Sequence, residues 1–170
     1  MGGMKLFRSL LFVPGIKASW IDKSADYGAD AVILDLEDSV PGPKKAEARD
    51  IVSRAIPVLR QKGQRLYVRI NYDGAPDMDE LAAVVRQGLE GLIIPKLYGP
   101  EDVRSIHEAL NGVEQRNGLE PGSVALIPTL ETARSVYFAY EIACCERVAA
   151  IVAIHEKNGY AAREIGFQWT

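Results

Sequence analysis

The side chains best equipped for chemistry in this sequence all stand where a short apolar run ends. Ala31 to Leu34 is followed by Asp35, Glu37 and Asp38. The run Leu66 to Ile70 carries Arg69 and leads to Asn71, and Gly91 to Ile94 leads to Lys96. Val124 to Ile127 leads to Glu131 and Thr132, and Val148 to Ile154 to His155, Glu156 and Lys157. Clustered carboxylates repel one another unless a cation, a proton or an Arg or Lys partner joins them. Acids, a guanidinium, an ammonium and an amide around one pocket suit a substrate rich in carboxylate or carbonyl oxygen, held by Arg69 and a hard cation. Each residue also has a plain structural reading. Asp35 and Glu37 would pair with Lys44, Lys45 or Arg49, Glu131 would cap the helix that begins at Thr132, and Lys96 would only neutralise the acids.

These side chains need a scaffold that brings strand ends to one place. Apolar runs suited to buried strands alternate with segments of helical spacing. Strands are expected at Ser9 to Val13, Ala31 to Leu36, Leu66 to Ile70, Gly91 to Ile94, Val124 to Ile127 and Val148 to Ile154. Helices are expected at Lys17 to Tyr27, Lys44 to Arg60, Asp79 to Gln87, Glu101 to Arg116, Thr132 to Cys145 and from Ala161 to Ile165. In the first helix Trp20, Ala25 and Tyr27 are the expected apolar contacts; in the second, Ala48, Ile51, Val52, Ala55 and Leu59 share a face. Six such units make either an open doubly wound sheet or a closed barrel. In both, ligands bind at the carboxyl ends of the strands. A complete eight-stranded barrel takes roughly 250 residues, so a barrel of this winding would lack two units here.

At 170 residues and 48% hydrophobic composition, one domain with a real core is expected. A net charge of −3 carries no basic stripe for nucleic acid. No apolar run approaches the roughly 18 residues of a membrane span, and the amino terminus lacks a signal-peptide core. The cysteines, Cys144 and Cys145, are neighbours and make no disulfide framework. The expectation is buried packing in a reducing cytoplasm. A signalling receiver domain would need paired acids after strand one, where this chain has Phe12-Val-Pro-Gly15.

Six segments in order resemble the HpcH/HpaI aldolase and citrate lyase β-subunit superfamily. They are Arg8-Ser-Leu-Leu-Phe-Val-Pro-Gly15, Gly28 through Val40, Lys45 through Arg49, Arg69-Ile-Asn71, Gly91-Leu-Ile-Ile-Pro-Lys96 and Ile127-Pro-Thr-Leu-Glu-Thr-Ala-Arg134. The resemblance implies an α/β fold, a TIM (β/α)8 barrel of the phosphoenolpyruvate/pyruvate type, with about six βα units in one incomplete domain over residues 1–170. It implies Mg²⁺ and the breaking or forming of carbon–carbon bonds. Implied substrates are CoA thioesters of malyl, citramalyl or citryl type, or small 2-oxo acid adducts, cleaved through a metal-stabilised enolate; some relatives instead hydrolyse malyl-CoA. By the resemblance Arg69 grips the substrate and stabilises the enolate, with Glu37 and Asp38 beside it as catalytic groups. Glu131 and Asp35 are implied metal ligands. Asn71, Phe12, Glu131 and Lys23 are implied substrate contacts, Lys23 through CoA phosphates. A homotrimer or hexamer is implied, without nucleic acid or membrane partners.

The sequence departs from that pattern in one place. The family's second metal Asp falls in a Gly-rich segment, and the aligned stretch here is Ile154-His-Glu-Lys-Asn-Gly-Tyr160. Tyr160 stands in the Asp position, and a phenol of pKa about 10 is a poor Mg²⁺ ligand. A catalytically impaired relative or assembly subunit is therefore a second expectation.

Overall fold

The computed structural model describes residues 7–153 and 160–164. Strands β1 (Leu10–Pro14), β2 (Ala31–Asp35), β3 (Leu66–Arg69), β4 (Gly91–Ile94), β5 (Ala125–Leu130) and β6 (Val152–Ala153) alternate with helices. The helices are α1 (Ala18–Lys23), α2 (Lys45–Gln61), α3 (Met78–Val84), α4 (Pro100–Arg116), α5 (Ala133–Tyr137), α6 (Ala139–Ala143) and α7 (Tyr160–Glu164). The strands form one sheet in the order β1-β2-β3-β4-β5-β6, and every neighbouring pair is parallel. A doubly wound sheet reverses its strand order partway, whereas a βα barrel adds each strand beside the last. Sequential order therefore decides between the two expectations: this is barrel winding, six units of a TIM-type barrel, and it excludes the receiver fold.

The two sheet faces are sorted by the strand period of two. Val32 and Leu34, Leu66 and Val68, Leu92 and Ile94, and Leu126 face the helices. Against them pack Ala48, Val52, Ile56 and Leu59 of α2, Leu81 and Val84 of α3, and Val103, Ile106, Leu110 and Val113 of α4. The opposite face carries a smaller apolar group, Ala31, Ile33, Tyr67, Ile93 and Ile127. It forms the inner face of the curl. Continuing that alternation by two residues takes β2 from Ile33 to Asp35 and β3 from Tyr67 to Arg69. The inner face thus changes from apolar to charged as the strands reach their carboxyl ends.

Some local expectations shift. In α1 the buried residue is Ile21, while Trp20 and Tyr27 are exposed. That segment is one short helix followed by a 3-10 turn over Ser24–Tyr27, so the longer α-helical spacing does not apply. The expected helix from Thr132 to Cys145 is broken at Phe138 into α5 and α6. Cys144 ends α6 and is exposed, and only Cys145 packs partly against the core. β5 continues through Pro128, which sits opposite Ile94.

α2 passes through Pro57, which supplies no N–H to the carbonyl of Ser53 one turn earlier. Arg86 donates to that carbonyl at 3.0 Å instead. An ion pair between Arg147 and Glu114 of α4 is buried at 2.7 Å. Burial alone would raise the Glu114 pKa, but Arg147 and the N–H groups of Gly122 and Val124 hold it below the usual carboxylate range. Among the described residues no helix is long and apolar enough to cross a membrane.

Candidate active site at the carboxyl-terminal rim

Asp35 and Arg69 end neighbouring strands and are paired directly in the parallel register. The guanidinium grips the carboxylate at both ends, Nε to Oδ1 at 2.7 Å and Nη2 to Oδ2 at 2.8 Å. The N–H of Glu37 donates to Oδ1 at 3.0 Å and that of Ser39 to Oδ2 at 3.1 Å. A carboxylate offers about four lone-pair sites, and here four donors occupy them. Burial pushes the Asp35 pKa up, but these four donors outweigh it and hold the acid below its usual range. Burial likewise works against the Arg69 charge, and Asp35 more than restores it. Asp35 therefore orients Arg69, whose Cζ also lies 5.0 Å above the ring of Phe12.

Glu37 is the next group inward. Its Oε1 accepts from the Lys96 ammonium, which also reaches Asp38 Oδ1 at 3.0 Å. Its Oε2 lies 3.3 Å from Arg69 Nη1 but receives no aligned hydrogen bond, and it is buried. Burial raises the Glu37 pKa against the pull of Lys96 and Arg69. The partners of the acids are thus Arg69 and Lys96, from the next two strand ends, rather than Lys44, Lys45 or Arg49; Lys45 bonds the main-chain carbonyls of Leu36 and Glu37 instead. Lys96 adopts a left-handed backbone, φ 53°, a conformation uncommon outside glycine. Gly15 fits beneath the cluster: a Cβ there would stand 2.7 Å from the Asp35 carbonyl.

Asn71 is placed at the rim, but both hydrogens of its amide nitrogen are spent, on Leu36 O at 3.0 Å and Glu80 Oε2 at 2.8 Å. Glu37, Asp38, Lys45, Asn71, Tyr72 and Lys96 line a cleft of about 690 Å³. Glu131 follows β5 at the same end, with Oε1 2.5 Å from the Thr129 hydroxyl. It does not cap α5; Thr132 does, accepting from the N–H of Ser135 at 2.9 Å. β3 and β5, which bring Arg69 and Glu131 to the same end of the sheet, stand two strand spacings apart, about 10 Å. Lys23 is not brought to this group. It is exposed in the last turn of α1, beside Asp22, whose carbonyl accepts from Lys62 at the far end of α2. His155, Glu156 and Lys157 lie outside the described residues, and Tyr160 begins α7. Sequence reasoning missed Glu80 as a rim residue: it lies within α3, away from any strand end. Its spacing from Asn71 gave no signal.

The model of the family described as HpcH/HpaI aldolase/citrate lyase matches residues 8–156. The chain belongs to that family. Citrate lyase subunit beta of Escherichia coli (strain K12) is 37% identical over 146 residues, covering 85% of this chain and 48% of that protein. A (3S)-malyl-CoA thioesterase of Cereibacter sphaeroides (strain ATCC 17025 / ATH 2.4.3) is 30% identical over 147 residues, covering 86% and 48%. Among solved structures, protein CitE from Mycobacterium tuberculosis in complex with magnesium and acetoacetate matches with a TM-score of 0.70 and 26% identity. That match covers 98% of this chain and 62% of the CitE chain. The chain spans about half the length of the relatives it matches in sequence. The barrel winding is therefore shared with that solved structure.

Proposed function

We propose that this chain carries the amino-terminal part of a carbon–carbon lyase site of the citrate lyase β-subunit type. Its substrate is a 3-hydroxyacyl thioester of malyl, citramalyl or citryl kind, or a related 2-oxo acid adduct. The observation that carries the reading is Arg69, held at both ends by Asp35, seated over Phe12 and ion-paired with Glu37, which lines the cleft at the carboxyl ends of the parallel strands.

Cleavage of such a substrate needs two things. The hydroxyl proton must leave, and the electrons of the breaking C–C bond must collect on the carbonyl oxygen of the thioester fragment, whose enolate carbon then takes a proton from solvent to give the free acyl thioester. Arg69 supplies preorganised donors to that oxygen as it becomes an enolate. Glu37 is the assigned proton acceptor. One of its oxygens is unbonded among the described residues, and burial moves its pKa toward the range useful for a base. Lys96 fixes the other oxygen of that carboxylate and also reaches Asp38.

Mg²⁺ takes hard oxygen donors and is commonly held by one or two carboxylates, with water and substrate completing the shell. Glu131 meets that description; Asp35 does not, because its lone pairs are already used. Among the described residues no three His, Cys, Asp or Glu side chains are gathered to hold an ion. When bound, the ion adds Lewis-acid stabilisation of oxygen charge. In this reading Glu131 holds the ion, and Glu37 reaches its water.

The test is product analysis with malyl-, citramalyl- and citryl-thioesters in the presence of Mg²⁺. The reading expects a free acyl thioester and a 2-oxo acid. Release of free thiol with the hydroxy acid intact would instead establish the thioesterase reading, which the (3S)-malyl-CoA thioesterase relative supports. Absence of both products would favour an impaired or assembly role, which Tyr160 in the second metal position supports.

A further inference from the structure

Glu37 carries its unbonded oxygen on a turn that has left the sheet, so something other than the β-ladder must hold it still. The structure supplies two fasteners. The Lys45 ammonium, in the first turn of α2, reaches back to Leu36 O at 2.6 Å and Glu37 O at 2.5 Å. Leu36 O takes a further bond from the Asn71 amide at 3.0 Å. Asn71 is itself held by Glu80, which accepts from its N–H at 2.6 Å and its amide nitrogen at 2.8 Å. Glu80 is 1% exposed, in the first turn of α3, so an acid has been buried to hold one asparagine. Val40 N–H adds 3.1 Å to Glu37 O, and Asp35 takes the Glu37 N–H.

We propose that Lys45 and Glu80 are positioning residues: a two-sided clamp, run from the starts of α2 and α3, that fixes the Leu36–Glu37 turn and aims Glu37. The catalytic purpose of the clamp rests on the lyase reading; the clamp itself does not. Both side chains act on main-chain carbonyls or through Asn71, and neither touches the proposed reacting atoms. Burying a carboxylate and half-burying an ammonium cost stability, so a clamp built of them serves aim more than fold. Misplacing a catalytic group by about 1 Å costs on the order of a hundredfold in rate.

The test uses Lys45→Met, Lys45→Arg and Glu80→Gln in the full chain, with three readouts. Thermal melting of Glu80→Gln is expected to be unchanged or higher, because an isosteric neutral group replaces a buried acid. Amide hydrogen exchange at Glu37, Ser39 and Val40 is expected to speed up about tenfold in Lys45→Met while β4 stays protected, with Lys45→Arg restoring part of the protection. Thioester cleavage is expected to lose ten- to a hundredfold in kcat with KM within about threefold. Unchanged exchange at those three amides in both Lys45→Met and Glu80→Gln would overturn the clamp. Faster exchange with unaltered kcat would overturn its catalytic purpose. A wild-type chain without cleavage of any thioester would refute the lyase reading, and the exchange rates alone would then decide the clamp.

Discussion

Arg69 owes its geometry to Asp35, and that dependence can be measured. Asp35→Asn keeps the shape but replaces one acceptor oxygen by a donor facing Arg69 Nη2. Breaking a buried pair of this kind costs about 3–5 kcal/mol, because Asp35 is 2% exposed at its side chain and Arg69 14%. The variant is expected to melt lower and to lose turnover. Arg69→Ala is expected to abolish turnover while leaving a folded chain, checked by activity and circular dichroism together; retained turnover would remove Arg69 from the reaction. Tyr160→Asp is expected to tighten Mg²⁺ binding in calorimetry, and unchanged affinity would show that this position is not at the metal. The rim residues were legible in the sequence because each ends an apolar run, and strand ends are where an α/β fold exposes charge. Their pairing was less legible. Asp35 and Glu37 were matched to cations on their own following helix, whereas the partners Arg69 and Lys96 lie 34 and 59 residues further on. Register between parallel strands sets such contacts, and no local period reports it. The four donors that fill the lone pairs of Asp35 become visible only in space, for the same reason.

At the scale of elements, most strands and helices were written in the sequence by their apolar spacing. The misses came where a second constraint overrode that period. The stretch from Thr132 to Cys145 reads as one helix, yet it breaks at Phe138, with Tyr137 and Tyr140 left exposed on either side. Pro128 read as a strand stop and is instead inside β5. Pro57 is tolerated in α2 through the bond from Arg86 to the Ser53 carbonyl. Arg86→Ala is therefore expected to cost about 1 kcal/mol, measured by urea unfolding, and to cost less in a Pro57→Ala background, where the helix supplies its own N–H and only the Arg86 bond to the Ala83 carbonyl is lost. Gly15→Ala meets the Asp35 carbonyl, Leu36 and Val52 at 2.7–3.0 Å. Overpacking of that kind costs about 1–3 kcal/mol. It would also push the end of β1 away from the rim, so activity should fall with stability.

For the whole molecule, acid should be destabilising through Asp35 and Glu114, whose pKa values are lowered in the folded state. Their stabilising contribution is complete above the unfolded carboxylate values of about 4 and is lost as pH falls through the lower folded values. Glu80 acts with the opposite sign: its pKa is raised by burial, so its contribution is lost as pH rises through the folded value. Glu114→Gln should flatten the acid limb of melting temperature against pH, though from a lower plateau. The sheet order places Glu37, Arg69 and Glu131 on one rim, as the ends of parallel strands must be. The direct measurement of what that rim does is calorimetric titration of a small 2-oxo acid, oxaloacetate, into the chain with and without Mg²⁺, for wild type, Arg69→Ala and Glu131→Gln. Binding that requires Mg²⁺ and disappears in both folded variants is the expected result; binding indifferent to the ion or to either substitution would contradict the shared site.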